Sequence, residues 1–143
     1  MQLAMNAEEL NVFLDRVFPQ VAGQIRVETV DKDMLLSRLI VGDAHLRPGG
    51  TISGPAMFAL ADASIYLAIL SRIGEVALAV TTNASIDFMR KPAAGRDLLA
   101  ECRLLKLGSV LAVGDVLIRS EGATEPVARA ALTYSIPPKS RGN

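Results

Sequence analysis

The chain has 143 residues, half of them apolar, and 15 basic side chains balance 15 acidic ones. This length and apolar content suit one compact domain with its own core. Balanced charge and few aromatic residues argue against a nucleic-acid surface or a polybasic membrane patch. Cys102 is the only cysteine, and the N-terminus lacks the basic and apolar regions of a signal peptide. We therefore expect a cytoplasmic protein without disulfides, in which Cys102 is a packed thiol.

The first predicted element is a short amphipathic helix from Ala7 to Phe18, within an N-terminal segment of residues 1–20. Its apolar positions recur at helical spacing and a proline follows it. We expect it to cover an edge of the fold or a partner subunit. Two strands follow at residues 24–30 and 34–41. The irregular segment after them carries His45, expected to be a loop histidine because no second histidine or nucleophile motif accompanies it.

A long apolar helix is predicted from Gly54 to Arg72. Ser53 can cap its start, Pro55 fits its first turn, and Gly74 can end it. Because no face of this helix is polar, we expect it to be buried at the centre of the fold.

Asp62 is the only charged residue between positions 49 and 70. A span of roughly 20 apolar residues is needed to cross a bilayer, and this run is shorter and interrupted by a carboxylate, so we expect no membrane span. An unpaired carboxylate in an apolar site costs several kcal/mol. Asp62 is therefore protonated, paired or retained for a function.

The remaining chain is rich in strand residues. A β-rich run covers residues 75–89, three strands follow at 98–107, 110–120 and 126–136, and the polar tail 137–143 is expected to be flexible. Segregated helices and strands indicate an α+β fold: one antiparallel sheet of five or six strands curled around the central helix, in a single domain spanning 1–143. Such a sheet leaves an edge for a second copy, so we expect a homodimer or tetramer.

Four motifs carry a family resemblance. The segment PGGTISGP at residues 48–55, ALAD at 59–62, and VTTN at 80–83 with IDFMRKP at 86–92 resemble the hotdog-fold thioesterases of the phenylacetyl-CoA thioesterase (PaaI-like) family. The likeness covers most of the chain, from residue 42 to 136, and implies the hotdog fold.

The resemblance also implies roles for individual residues. The Gly54 N–H would polarise a thioester carbonyl, and Asp62 of the opposite subunit would act as nucleophile or general base. Thr81 would orient the attacking water or the carboxylate, and Arg90 and Lys91 would meet the nucleotide and phosphates of coenzyme A. The remaining implied site residues are Ser53, which stands where the family has histidine, Arg47, which stands near a family asparagine, and Asn83.

The function implied is an acyl-CoA thioesterase acting on a small aryl or acyl-CoA at a site shared between two subunits. No metal is expected, and coenzyme A enters only as part of the substrate. A non-catalytic acyl-CoA-binding or regulatory module is the alternative, because Ser53 replaces the family histidine. A hydratase is less favoured, because His45 lacks the spacing such enzymes use. The residue types do not decide the acyl group.

Overall fold

An antiparallel sheet of six strands wraps around one long helix in the computed structural model, which describes residues 3–76 and 78–138. The helices are α1 (Ala7–Val17), α2 (Pro19–Ala22) and α3 (Gly54–Ile73), with one turn of 3₁₀ helix at Asp43–His45. The strands are β1 (Ile25–Val30), β2 (Leu35–Leu39), β3 (Val80–Phe88), β4 (Leu98–Leu107), β5 (Leu111–Ser120) and β6 (Pro126–Ser135). Their order across the sheet is β1-β2-β4-β5-β6-β3.

The predicted α+β class and the central helix are confirmed, but the first part of the predicted β-rich run is wrong. Strand β3 begins at Val80 rather than near residue 75. Gly74 adopts a positive φ of 89° at the end of α3, and the Ala79 N–H donates to the Val76 carbonyl at 3.0 Å. The chain therefore makes a turn before it can join the sheet. Of the predicted flexible tail, residues 139–143 lie outside the described residues.

Helix α3 forms the centre of the core. Most of its residues are buried, and seven of them have no exposed surface: Leu60, Ala61, Ser64, Ile65, Leu67, Ile69 and Leu70. In the described part of the chain it is the one helix long and apolar enough to cross a membrane by length and composition. Because β2, β4, β5 and β6 pack on it, it has the surroundings of a core helix of a folded domain.

Helix α1 covers the β1 edge of the sheet. Its buried residues Leu10, Phe13 and Leu14 face the core. The Asn11 side chain accepts a hydrogen bond from the Val27 N–H at 2.8 Å and donates to the Val27 carbonyl at 3.0 Å. Backbone groups of an exposed edge strand invite pairing with another chain, so α1 protects this edge, which is one of the two positions that the sequence left open for it.

Cys102 lies in β4 with 1% of its surface exposed. Burial raises the pKa of its thiol from 9.0 to about 12. The thiolate, which is the nucleophilic form of cysteine, is therefore not populated at neutral pH. This agrees with the predicted packed thiol.

Helix α3 packs tightly against the sheet at Gly114 of β5. A Cβ built on Gly114 would lie 2.5 Å from Ile65 Cδ1 and 2.9 Å from the Arg103 carbonyl oxygen. Real Cβ atoms do not come this close to a backbone oxygen, so any larger residue must shift β5 against its neighbour β4 and displace the Ile65 side chain of α3.

We expect Gly114→Ala to lower the free energy of unfolding by about 1–3 kcal/mol, because it overpacks the interface between helix and sheet. Urea unfolding followed by circular dichroism measures the change. Gly23→Ala is the matched control, since a Cβ there meets nothing within 4 Å, and its effect should stay within about 0.5 kcal/mol. Equal effects of the two changes would contradict the close-approach argument.

Candidate active site

One stripe of α3 is left outside the core. Pro55, Phe58 and Ala59 are exposed and Asp62 is half-buried. Residues at this spacing share one face of a helix. Two clefts lie along the stripe, one containing Gly54 at the start of the helix and one containing Asp62 further along it.

The Asp62 cleft has a volume of about 580 Å³. Its walls are mostly apolar and come from the N-terminal segment, from α3 and from β3, including Phe18, Val21, Tyr66 and Val80. A mainly apolar cleft with a few polar groups is the usual form of a small-molecule site.

The Asp62 carboxylate is paired with neutral hydroxyl donors. Thr81 Oγ1 donates to Asp62 Oδ1 at 2.5 Å, and the Tyr134 hydroxyl lies 2.9 Å from the same oxygen. The Tyr134 hydroxyl is also 3.0 Å from the backbone carbonyl oxygen of Asp62. Of the alternatives that the sequence left open for Asp62, the structure shows the paired one.

A β-bulge at Thr82 is what turns Thr81 toward the helix. Every second residue of β6 faces the helix, and so does every second residue of β3 that pairs with them. This spacing of two ends on β3 where the register shifts between Thr81 and Asn83. Without the bulge, Thr82 would take the inward position. Bulges that re-aim a side chain are common beside active sites. The inward pairs are Phe88 with Ala128, Ile86 with Ala130, Ala84 with Leu132, and Thr81 with Tyr134.

Sequence reasoning missed Tyr134. Its position was readable from the alternation of β6, where it shares a face with buried small and apolar residues, and a buried tyrosine hydroxyl needs a hydrogen-bond partner. Burial, with the negative charge of Asp62 beside it, raises the pKa of the Tyr134 hydroxyl above its ordinary value of 10.0. Tyr134 therefore stays protonated and acts as a donor at neutral pH.

The cationic cleft lies at the N-terminal end of α3 and has a volume of about 570 Å³. Gly54 lines it together with the exposed side chains of Arg47, Arg90 and Lys91, and no acidic residue is among its described lining residues. Arg90 also donates to the Pro126 carbonyl. The Gly54 N–H and the positive dipole of the helix N-terminus, combined with cations, favour an anion here.

Two of the predicted site residues do not line either cleft. Ser53 Oγ accepts a hydrogen bond from the Ala56 N–H at 3.2 Å, so its hydroxyl caps α3. Asn83 is exposed on β3 opposite Thr133. Thr81 faces the helix, whereas Asn83, on the other side of the bulge, faces away from it. The structure therefore does not bring Asn83 to the other predicted residues.

His45 anchors the loop that leads into α3, as predicted for a loop histidine. Its Nδ1 accepts the Gly42 N–H at 2.9 Å, and its Nε2 lies 2.8 Å from Gln24 Oε1. The Ser53 N–H donates to the His45 carbonyl at 2.7 Å. Across residues 3–76 and 78–138, no three His, Cys, Asp or Glu side chains form a group that could hold a metal ion.

Comparison with solved structures identifies the fold. A protein from Silicibacter sp. TM1040, provisionally assigned as a thioesterase, is 56% identical, with 96% of each chain covered and a TM-score of 0.90. A variant of the phenylacetic acid degradation protein PaaI from Thermus thermophilus is 26% identical, covering 83% of this chain and 99% of its own, with a TM-score of 0.70. The PaaI protein of the E. coli phenylacetic acid degradation operon is 22% identical over 92% and 93% of the two chains, with a TM-score of 0.78, and supports the fold alone.

The curved sheet around one long helix is therefore the hotdog fold, as predicted. The family model of the thioesterase superfamily matches residues 49–127, more than half of the chain. This protein belongs to the thioesterase superfamily and is a thioester hydrolase. The predicted PaaI-like resemblance is confirmed. None of the curated proteins compared with the chain matches it.

Proposed function

We propose that the protein is an acyl-CoA thioesterase whose active site combines the Asp62 cleft of one subunit with the cationic cleft of another. The observation that carries the proposal is the division of the required groups between two clefts. One holds cations and a helix N-terminus, and the other holds a carboxylate among apolar walls. Both are needed for a substrate that has phosphates at one end and an acyl group at the other.

The distance along α3 supports a shared site. Gly54 and Asp62 are eight residues apart in one helix, which corresponds to a rise of about 12 Å. An oxyanion donor must lie roughly 3 Å from the carbonyl oxygen, and a base must reach the attacking water at the same carbon. One chain alone therefore cannot present both groups to one thioester.

The open edge of the sheet supplies a place for the second subunit. While α1 covers β1, β3 at the other edge exposes 56% of Val80 and 53% of Phe88, next to Met89 at 46%. Phe58 on the exposed stripe of α3 adds to this apolar surface, with 36% exposed. Exposed apolar surface beside an unpaired edge strand favours association with another copy. A dimer formed through β3, or a tetramer built from two such dimers, would pair this edge strand and cover the apolar surface beside it.

In the proposed reaction, Arg47, Arg90 and Lys91 bind the phosphates of coenzyme A through charge-assisted hydrogen bonds. The Gly54 N–H stabilises the carbonyl oxygen as it becomes negative. Asp62 either takes a proton from the attacking water or attacks the carbonyl itself. When Asp62 acts as the base, the water oxygen bonds to the carbonyl carbon, the carbon–sulfur bond breaks, and the proton taken by Asp62 passes to the leaving thiolate. When Asp62 attacks the carbonyl, the carbon–sulfur bond breaks and a mixed anhydride forms. Water then hydrolyses the anhydride, which releases the acid and restores the carboxylate, while the thiolate takes a proton from water.

The apolar walls of the Asp62 cleft would receive the acyl group, which we propose to be a small aryl or acyl chain. The proposed reaction uses no metal and no cofactor other than the coenzyme A of the substrate. We propose that the protein acts in the cytoplasm.

We expect Asp62→Asn to reduce thiol release from acyl-CoA by about two to four orders of magnitude, because the charge and the proton acceptor are lost. The asparagine oxygen can keep both hydroxyl hydrogen bonds, so the melting temperature should hold or rise. The assay is a panel of acyl-CoA esters with a thiol reagent. Single turnover in ¹⁸O-water separates the two routes, since only attack by Asp62 itself leaves label in its carboxyl group.

Asp15→Asn is the matched control, because Asp15 is an exposed carboxylate that pairs with Arg26 on the surface. Its activity should stay within about twofold of the parent. A folded Asp62→Asn protein that works at the parent rate would contradict the assignment. A parent that binds coenzyme A but hydrolyses no thioester would point to the binding-module alternative.

Joint replacement of Arg90 and Lys91 by alanine should raise KM for acyl-CoA by roughly ten- to a hundredfold, because contacts to the phosphates are lost. KM for an N-acetylcysteamine thioester, which lacks the nucleotide, should not change. Alanine at Arg103 and Lys106, two exposed cations of β4, controls for the loss of charge. Equal effects on the two substrates would indicate a structural role for the pair.

Mixed oligomers test whether the site is shared. An Asp62→Asn chain and an Arg90→Ala/Lys91→Ala chain, co-expressed with different tags and purified through both, should regain about half of the parental activity as a dimer, since one of its two sites is intact. The comparison is made at acyl-CoA concentrations well below the parental KM, where both single parents are slow, and a site within one chain would give no more than the average of the two parents. Light scattering should find no monomer at micromolar concentration.

A further inference from the structure

The two oxygens of the Asp62 carboxylate are in different surroundings. Both Thr81 Oγ1, at 2.5 Å, and the Tyr134 hydroxyl, at 2.9 Å, approach Oδ1. No described residue donates a hydrogen bond to Oδ2. The described residues contain no buried side-chain oxygen that lacks a partner, so Oδ2 keeps some accessible surface, and it belongs to a residue that lines the cleft.

Tyr134 is held more firmly than an ordinary cleft residue. Its side chain is 3% exposed, and its ring lies 6.3 Å from that of Tyr66 at an interplanar angle of 31°. Strand pairing fixes its backbone on both sides, with Thr81 of β3 opposite it on one side and Ala112 of β5 on the other. The hydroxyl is therefore a fixed point against which the Asp62 side chain is oriented.

The Tyr134 hydroxyl meets two oxygens of one residue, the carboxylate Oδ1 and the backbone carbonyl of Asp62, at 2.9 and 3.0 Å. This double contact ties the side chain of Asp62 to its own helical backbone. A carboxylate with no donors could turn about its terminal bond, whose torsional preference is broad. With donors from β3 and β6 at one oxygen, the plane of the carboxylate is restricted.

Building on the proposed function, we infer that Tyr134 is a positioning residue: together with Thr81 it holds one oxygen of Asp62, and the other oxygen is the one that acts on the substrate. A half-turn of the carboxylate exchanges the two oxygen atoms but leaves one position held and one open. Tyr134 does not itself act as a base, because burial keeps its hydroxyl protonated. A catalytic group that is already held in the reactive orientation lowers the activation free energy, because that orientation need not be reached during the reaction.

Tyr134→Phe is the test, since it removes the hydroxyl and keeps the ring. We expect kcat for acyl-CoA to fall roughly ten- to a hundredfold, because a hydrogen bond to a charged group is lost, while KM changes by less than about twofold, as for an effect confined to the transition state. Thr81→Val should act in the same direction. Thr29→Val, which removes an exposed strand hydroxyl at the opposite edge of the sheet, should leave kcat unchanged.

Combination with Asp62→Asn separates positioning from direct contact with the substrate. If Tyr134 acts through the carboxylate, Tyr134→Phe should change the residual activity of Asp62→Asn by less than about twofold, since residues acting as a unit are not additive. A loss as large as in the parent would mean that Tyr134 contacts the reacting atoms, and would overturn the inference. When that residual activity is below detection, the Thr81→Val/Tyr134→Phe double variant decides. Its fold-loss of kcat should exceed the product of the fold-losses of the two single variants, because both donors of one oxygen are gone. A fold-loss equal to that product overturns the inference.

A crystal structure of Tyr134→Phe gives a readout that does not depend on activity. The Asp62 carboxylate should occupy more than one orientation, and an unchanged, single orientation would overturn the inference. If the parent releases no thiol from any acyl-CoA, the proposed function fails, but this structure still decides whether Tyr134 positions Asp62. If the parent is active and Tyr134→Phe keeps its full kcat, the positioning role alone is wrong.

Discussion

A carboxylate in an apolar helix is costly unless donors stabilise it, and in this protein the donors come from two strands on one side of the helix. Thr81 of β3 and Tyr134 of β6 both approach Asp62 Oδ1. Neutral hydroxyls stabilise the charge without neutralising it, whereas a lysine or arginine at this distance would engage the carboxylate in an ion pair. Asp62 thus pairs with hydroxyls rather than with a cation, and our proposal gives it the role of base or nucleophile.

This arrangement depends on how closely helix and sheet are packed. Gly114 lets β5 approach α3 near Ile65, and a buried pair of hydroxyls, Ser37 and Ser64 at 2.7 Å, joins β2 to the same helix. Since interiors are close-packed, a shift of the helix by even part of an ångström would be felt along its length. The fold therefore stabilises the site through contacts that contain no catalytic group.

The two edges of the sheet differ, and this difference connects fold to function. Helix α1 and Asn11 cover β1, whereas β3 is an open edge with the exposed apolar residues Val80 and Phe88 at its two ends. The exposed stripe of α3, with Phe58 and Asp62, lies on the part of the helix that the sheet does not cover. A partner that pairs with β3 would complete both the sheet and the site, so in our proposal assembly and catalysis depend on the same surface.

Much of this could be predicted from the sequence because it depends on local patterns. Helical spacing, Ser53 as a cap, Gly74 as a stop and the single charge at Asp62 identified the central helix and the carboxylate to which our proposal gives a catalytic role, and alternation identified most strands. The helix N-terminus at Gly54 and the cations beside it followed from motifs a few residues long, which matched the family model and the fold.

Other features were decided only by the tertiary structure. Tyr134 is 72 positions from Asp62, and no local pattern brings them together. The bulge at Thr82 turns the Thr81 side chain, rather than that of Thr82, toward the helix, and it turns Asn83 away. The bulge belongs to the pairing of β3 with β6, so the sequence of β3 alone does not show it. The segment before Val80 was predicted as strand but forms a turn. Helix α3 ends just before this segment, and the chain must reverse its direction there before it can join the sheet. Sequence patterns report which face of an element is apolar, whereas register and bulges depend on the strand that lies beside it.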